Sequence, residues 1–396
     1  MLTRQGMLVA IGSGFLIVAG RLLGVLELFL LGVTGGALAI IALAVVWLRR
    51  IRLEVLREVV PARVHAGTPS RVDLSVNNIG VSRSPVMRAV DPVSGTRGAN
   101  LLIGPLSPNT AARASYRLPT ERRGVLAIGP LTLELSDPFG LARATLPGAN
   151  VTNLTVYPPI HRLTSLPPTG GADPHSGLEH RRTLNRGGSD FYALRQFVVG
   201  DELRRVHWPS TARHDELMVR QDELPWQGRL TVVVDNTEGR LPEAGLDLAV
   251  SIAASIVVAA HQKGNLVRVV TGDGNDSGYL SGNAQVESLL EMLAVLQPHR
   301  RAALNTALDR AAMQQRTGGV VVISAELDAG RIVAVRRLSR SFSWVTSVIV
   351  DKSTWDPTSD VEGLPMASRR MVRVSKNAPF PLVWNAAMAS GIGDVA

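Results

Sequence analysis

RLTVVVD, residues 229–235, is a short unbroken apolar run that ends on a carboxylate. A half-exposed strand would alternate polar and apolar positions, so this run predicts a strand buried on both faces. Leu246–Ala260 is apolar nearly all round and stops at Lys263-Gly264. Its unbroken apolar run is short for a membrane span, and Asp247 and His261 bracket it, which predicts a core helix. Leu266–Val270 reads as a second strand. Asn283 is placed to cap a helix carrying Val286, Leu289, Leu290, Leu293 and Leu296, with Pro298 beyond it. A polar-faced helix near Ala302–Arg316, a strand Val320–Ser324, a helix Ile332–Leu338 and a strand Phe342–Val350 follow. Strands alternating with helices predict a mostly parallel, Rossmann-like sheet over residues 229–396.

In such sheets ligands bind at the carboxyl ends of the strands. Asp235 sits there, followed by Asn236-Thr237-Glu238-Gly239. A carboxylate with a hydroxyl two residues on can hold a hard cation such as Mg²⁺, and it can equally cap the loop that follows. Asp273–Gly278 imitates the opening of an EF-hand loop, but the twelfth position is Ala284 instead of the bidentate Glu, which favours a glycine-rich turn. No phosphate loop, paired-histidine zinc signature or nucleophile elbow occurs, so no catalytic residue is assigned.

The chain has no cysteine, which excludes disulfides, thiolate metal sites and cysteine nucleophiles. Its net charge of +9 is carried by arginine, since lysine occurs only at Lys263, Lys352 and Lys376. Aromatic residues make up only 4%, without the stacking residues that single-strand binders interleave with basic ones, so nucleic acid is not an expected partner. The first fifty residues point to a lipid bilayer instead. Leu28–Leu48 is uncharged and long enough as a helix for a ~30 Å hydrocarbon core. Trp47, Arg49, Arg50 and Arg52 close it with an interfacial aromatic and a basic cluster, which places residues 53–396 in the cytoplasm at the inner or plasma membrane. A helix from about Leu8 to Leu26 would complete a transmembrane hairpin over 1–50. A signal peptide cut near Val18-Ala19-Gly20 is the alternative.

Residues 51–160 change to short alternating runs such as Arg71–Val76, Ala114–Leu118, Leu131–Leu135 and Leu154–Tyr157, broken by Gly, Pro and Asn. That spacing predicts an all-β sandwich. Its excess of arginine would suit either anionic headgroups or plain solubility. Residues 161–228 combine a Pro/Gly-rich connector with the charged stretch Ser189–Gln221. That stretch has no clean period, apart from a strand-like run at Leu217–Val219. It predicts irregular backbone braced by arginine–carboxylate pairs, with Asp201 paired to an arginine and Trp208 largely buried.

Two groups of residues carry a family resemblance. One is Arg195-x-Phe197, Gly200-Asp201-x-x-Arg204-x-x-His207-Trp208, Ala212-Arg213 and Leu217-x-Val219. The other is Arg122-Arg123-Gly124, Gly129-Pro130, Asp137-Pro138-Phe139-Gly140-Leu141 and Val156-Tyr157-Pro158. The chain resembles the bacterial domain-of-unknown-function fifty-eight family. The resemblance implies two membrane helices, a β-sandwich and a von Willebrand factor type A-like domain. It also implies a non-enzymatic scaffold working with a MoxR-type AAA+ ATPase and a transglutaminase-like membrane protein in envelope-related assembly. Type A domains often carry an Asp-x-Ser-x-Ser metal site. Here Asp235 and Thr237 match in kind, Gly239 has lost the second hydroxyl, and Ser324-Ala325-Glu326 lacks the usual Asp. No cofactor is therefore expected. The alternative is a degenerate Mg²⁺ site at Asp235, Thr237 and Glu326, serving a metal-dependent enzyme or metal-gated binder. Ligand binding outside cells, common among type A domains, conflicts with the basic cluster at 49–52.

Overall fold

The computed structural model describes residues 1–48, 51–167, 191–196, 206, 208–214, 216–222, 228–313, 318–325, 327–355, 370–375 and 378–389. The chain forms two compact units, Met1–Pro159 and Ile160–Ala396.

The first unit opens with α1 (Arg4–Leu23) and α2 (Leu26–Leu48), both long and apolar enough to cross a membrane. α1 starts earlier than its hydropathy suggests because Thr3 caps it, its Oγ1 accepting from Gly6 N at 3.1 Å. Gly24, at φ 68°, turns the chain into α2. The two helices approach closely over small residues: a Cβ at Gly32 would lie 2.7 Å from Ile17 N.

Ten strands follow: β1 (Leu53–Val60), β2 (Arg63–His65), β3 (Arg71–Asn78), β4 (Met87–Asp91), β5 (Ala99–Ile103), β6 (Ala111–Arg117), β7 (Gly124–Ile128), β8 (Leu131–Ser136), β9 (Arg143–Ala149) and β10 (Thr152–Tyr157). They form sheets β1-β3-β6, β2-β10-β7 and β5-β4-β8-β9. Alternation along β3 explains the layering. Val72 packs with Val64, Ile128 and Leu154 of one neighbouring sheet, while Leu74 and Val76 pack with Met87 and Leu133 of the other. One sheet thus faces two, which is the sandwich the alternating runs predict.

Inside it, Arg57 Nη1 donates to Asp91 Oδ1 at 2.8 Å, and Tyr116 Oη donates to Asp91 Oδ2 at 2.7 Å. Both charged side chains are 1% exposed. Burial, and then the bond to Asp91, push the Tyr116 phenol far above its ordinary range. Asp137–Leu141 does a different job, clasping the start of α1. Asp137 accepts from Phe139 N at 2.8 Å and from Ala142 N at 2.5 Å, which shapes the loop. Thr3 N then donates to Leu141 O at 2.8 Å, and Thr3 Oγ1 to Gly140 O at 2.7 Å. Gly6 is required at this contact, since a Cβ would lie 2.0 Å from Leu141 O.

The second unit contains β11 (Phe191–Gln196), α3 (Trp208–His214), β12 (Met218–Asp222), β13 (Arg229–Val234), α4 (Glu243–Gln262), β14 (Leu266–Thr271), α5 (Asn283–Val295), α6 (Leu304–Met313), β15 (Gly319–Ser324), α7 (Ala329–Leu338), β16 (Trp344–Val350), β17 (Arg370–Val374) and α8 (Phe380–Ala389). The sheet β14-β13-β15-β16-β17 is parallel throughout. Leu230–Val234 is buried at every position, as the unbroken run requires, and α4 is a core helix despite its membrane-like composition. Three features depart from expectation. Asn283 is the first residue of α5, not its cap: Gly282 holds the cap position, Gln285 Oε1 accepts from Gly282 N at 3.0 Å, and Asn283 Oδ1 instead meets His261 Nε2 at 2.7 Å. β17 and α8 carry no clear periodic signal in the sequence, although Trp384 of α8 is fully buried. Trp384 Nε1 donates to Ser165 O at 2.9 Å, and His161 N donates to Ser255 Oγ at 2.9 Å, so residues 161–167 of the expected connector pack onto this unit.

Edge strand β14 is covered by its own continuation, with Val267 bridging Leu280 and Val270 bridging Asp276 in antiparallel sense. Asp273–Gly278 is accordingly a turn, with Gly274 at φ 96° and Gly278 at φ 66°. The fully buried Arg268 holds the return, donating from Nε to Asp276 Oδ1 at 2.8 Å and from Nη2 to Oδ2 at 2.5 Å. This bond, above all, lowers the Asp276 pKa below the ordinary carboxylate range.

Two outcomes follow from these buried pairs. Arg57→Met leaves the Asp91 carboxylate buried without its cation and is expected to cost ~3–5 kcal/mol. Thermal unfolding of the full chain in detergent should register this, whereas Arg71→Met, on an exposed pair, should change little. Because the Asp276 pKa is depressed in the folded chain, its contribution is full above the unfolded value of ~3.9 and is lost as pH falls through the folded value. Asp276→Asn should therefore destabilise at neutral pH and flatten the fall in melting temperature below pH ~4. An unchanged acid slope would contradict that assignment.

Candidate functional site

The strand order changes direction between β13 and β15, which places the topological switch point at their carboxyl ends. Asp235 follows β13 directly, and its N–H donates to Ile323 O of β15 at 2.9 Å. Next to it the buried Asn236 ties three loops together. Its Nδ2 donates to Gln297 O at 2.9 Å, its carbonyl accepts from His299 N at 2.9 Å, and its Oδ1 accepts from Asp273 N at 3.1 Å. Gly272 belongs to this brace, as a Cβ there would sit 2.9 Å from Asn236 Oδ1. The floor of the site is therefore rigid.

Both oxygens of Asp235 are engaged. Oδ1 accepts from Thr237 N at 3.1 Å and from Thr237 Oγ1 at 2.5 Å, the arrangement of a carboxylate capping its own loop. Oδ2 accepts from Arg331 Nη1 at 3.2 Å. Arg331 comes from the first turn of α7, whose N-cap Asp328 accepts from Arg331 N at 2.9 Å. Arg331 Nε also lies 3.4 Å from Asp328 Oδ2, and Arg240 Nη2 lies 3.6 Å from the same oxygen. The result is a chain of alternating charge, Asp235–Arg331–Asp328–Arg240. Its inner pair is nearly dry, at 1% and 11% side-chain exposure, and its outer pair is open, at 53% and 41%.

This arrangement does not fit a divalent cation. A hard dication wants several oxygen ligands, and here a guanidinium already occupies the free side of the carboxylate. Of the expected ligands, Asp235 and Thr237 are brought together, while Glu326 lies outside the described residues. No group of three or more His, Asp or Glu among the described residues is placed to hold a metal. Arg331, Asp328, Arg240 and Asn236 were not anticipated. The one sequence signal is Asp328-x-x-Arg331 at the head of a helix, a capping pattern that says nothing of Asp235.

The signature stretch is more regular than its sequence suggests. β11 and β12 form an antiparallel ribbon with Arg195 opposite Val219, and α3 packs beside it, Thr211 Oγ1 accepting from Met218 N at 3.1 Å. The ribbon forms because Leu217–Val219, read as strand-like, has a partner upstream. Trp208, expected to be largely buried, is 64% exposed. It opens the seven-residue α3, and Val206, at 6% exposure, takes the buried place just before it. Ala212 and Arg213 are also exposed. Gly200, Asp201, Arg204 and His207, with the predicted Asp201 pair, lie outside the described residues.

Residues 193–356 match the family described as "Protein of unknown function DUF58". The DUF58 match runs from within β11 to just beyond β16 and includes every member of the Asp235–Arg331–Asp328–Arg240 chain. No curated protein matches. Among solved structures, the CARDB domain of a Pyrococcus furiosus protein is 17% identical, over 27% of this chain and 91% of that one, at a TM-score of 0.21. A beta-glucosidase from Listeria innocua is 10% identical over 26% of this chain and 16% of its own, at 0.17. The alkylpurine DNA glycosylase AlkC of Pseudomonas fluorescens is 10% identical over 31% and 39%, at 0.17. Similarities this slight carry no argument about the DUF58 segment or the rest of the chain.

The buried pair predicts a coupled double-mutant cycle. Arg331→Met strands Asp235 and should cost ~3–5 kcal/mol. Adding Asp235→Asn should return part of that loss, with a coupling of ~0.5–3 kcal/mol. Melting temperatures that simply add would show the two side chains to be independent.

Proposed function

We propose that the chain is a membrane-anchored, non-enzymatic adaptor: α1 and α2 tether it, and the von Willebrand factor type A-like unit offers its carboxyl edge to a protein partner in the cytoplasm. The Asp235–Arg331 pair carries this reading, because an internal cation sits where an adhesion-type site would need an ion. A carboxylate with both oxygens already engaged leaves little room for a metal or a substrate, so the edge suits recognition better than chemistry. Asp328 and Arg240 supply a solvent-facing pair of opposite charges, which favours specificity in a protein contact. The exposed Trp208 adds an aromatic of the kind that anchors such contacts.

The partner class follows from the resemblance, as a MoxR-type AAA+ ATPase, with a transglutaminase-like membrane protein as a further member of the assembly. Capture with the tagged full chain from its own membranes, with and without ATP, should enrich the ATPase. Arg240→Ala, at the exposed outer end of the charge chain, should reduce the yield several-fold while changing the melting temperature little. Equal yield from both chains, or no ATPase in either nucleotide state, would count against the adaptor reading.

A further inference from the structure

The end of the sandwich that receives the helices carries a groove of about 440 Å³. Val45 and Val46, from the last turn of α2, form one wall, and Val86, Leu102 and Arg88 form another. Since α2 ends at Leu48, these walls stand where a membrane-crossing helix leaves the hydrocarbon. The clasp at Leu141 brings the start of α1 to the same unit, and Pro138 of that loop also lines the groove. Trp47 is 84% exposed at this level.

The neighbouring surface has the same mixed character. Ile79 N donates to Arg52 O at 3.1 Å, which holds the 79–86 loop beside the chain leaving α2. Along that loop Val81 is 99% exposed, Ile79 50% and Val86 47%. Arg52, Arg83 and Arg88 are exposed and make no ion pair among the described residues. The acids of the groove are already committed. Glu134 pairs with Arg143 at 3.2 Å, and both Asp137 oxygens accept backbone N–H groups. Unpaired cations therefore remain beside an apolar wall, and the molecule that combines a phosphate with an apolar tail at this depth is a phospholipid.

We propose that this groove binds an anionic phospholipid, with Arg88 on its phosphate and Val45, Val46, Val86 and Leu102 against its acyl chains. The assignment rests on the membrane placement of α1 and α2 proposed above, and resistance of the full chain to alkaline extraction reports that placement separately. The direct test is native mass spectrometry of the full chain released from nanodiscs of equimolar phosphatidylglycerol and phosphatidylcholine, scoring the lipids retained. Wild type should retain phosphatidylglycerol preferentially. Arg88→Glu should lose about fivefold of that preference, the size expected for one arginine at an anionic surface. Arg88→Lys should keep it, and so should Arg117→Glu. Arg117 is exposed on β6 opposite Arg71, which pairs with Val60 at the far end of β1. Equal retention of both lipids by wild type would overturn the assignment, as would an Arg117→Glu loss matching that of Arg88→Glu, which would mean diffuse attraction. Melting temperatures establish that each variant is folded.

Discussion

The nearly dry ion pair between Asp235 and Arg331 constrains the whole carboxyl edge of the parallel sheet. A carboxylate at 1% exposure must be paired or neutral, and this one is paired. Its partner comes from α7, so the pair also fixes how that helix leaves β15. Thr237 and Asn236 complete the lock from the other side, bonding Asp235 and the loops after β14 and α5. A site built this way has little freedom to rearrange around a ligand. Its chemistry is that of a surface with a set shape and an alternating charge pattern.

In the first unit the organising contact is the clasp between Asp137–Leu141 and the start of α1. Two residues of the loop offer their carbonyls to Thr3, and Gly6 lets the backbones meet. Ala142 and Leu141 then pack with Ala42 and Val46 of α2, so both helices are gripped by the sandwich. The Asp137–Leu141 loop thus has a mechanical role, holding both helices against one end of the sandwich.

The parallel sheet was legible because strands buried on both faces leave an unbroken apolar signature, as RLTVVVD does. The all-round apolar α4 was legible for the same reason. The sandwich was legible from alternation, and the hairpin from length. What escaped depends on distance in sequence. Arg331 meets Asp235 across 96 positions, and no local pattern ties them. Asn283 is a good capping residue one position too late, because Gln285 bonds back to the Gly282 N–H. β17 is a short strand with arginines in it, whose only support is pairing with β16. Trp208 reads as the buried aromatic of a packed platform, but it opens a seven-residue helix and stands exposed while Val206 is buried. Thr237 is legible as a neighbour of Asp235 from its spacing of two, whereas the guanidinium that takes the remaining oxygen comes from another helix.

Arg331 is the resident cation of this site. Electron paramagnetic resonance of Mn²⁺ titrated into the full chain in detergent tests it directly, because bound Mn²⁺ loses the sharp six-line signal of the free ion. Wild type and Asp235→Ala should leave the same signal at every concentration. Removal of one equivalent by wild type and not by Asp235→Ala would contradict it.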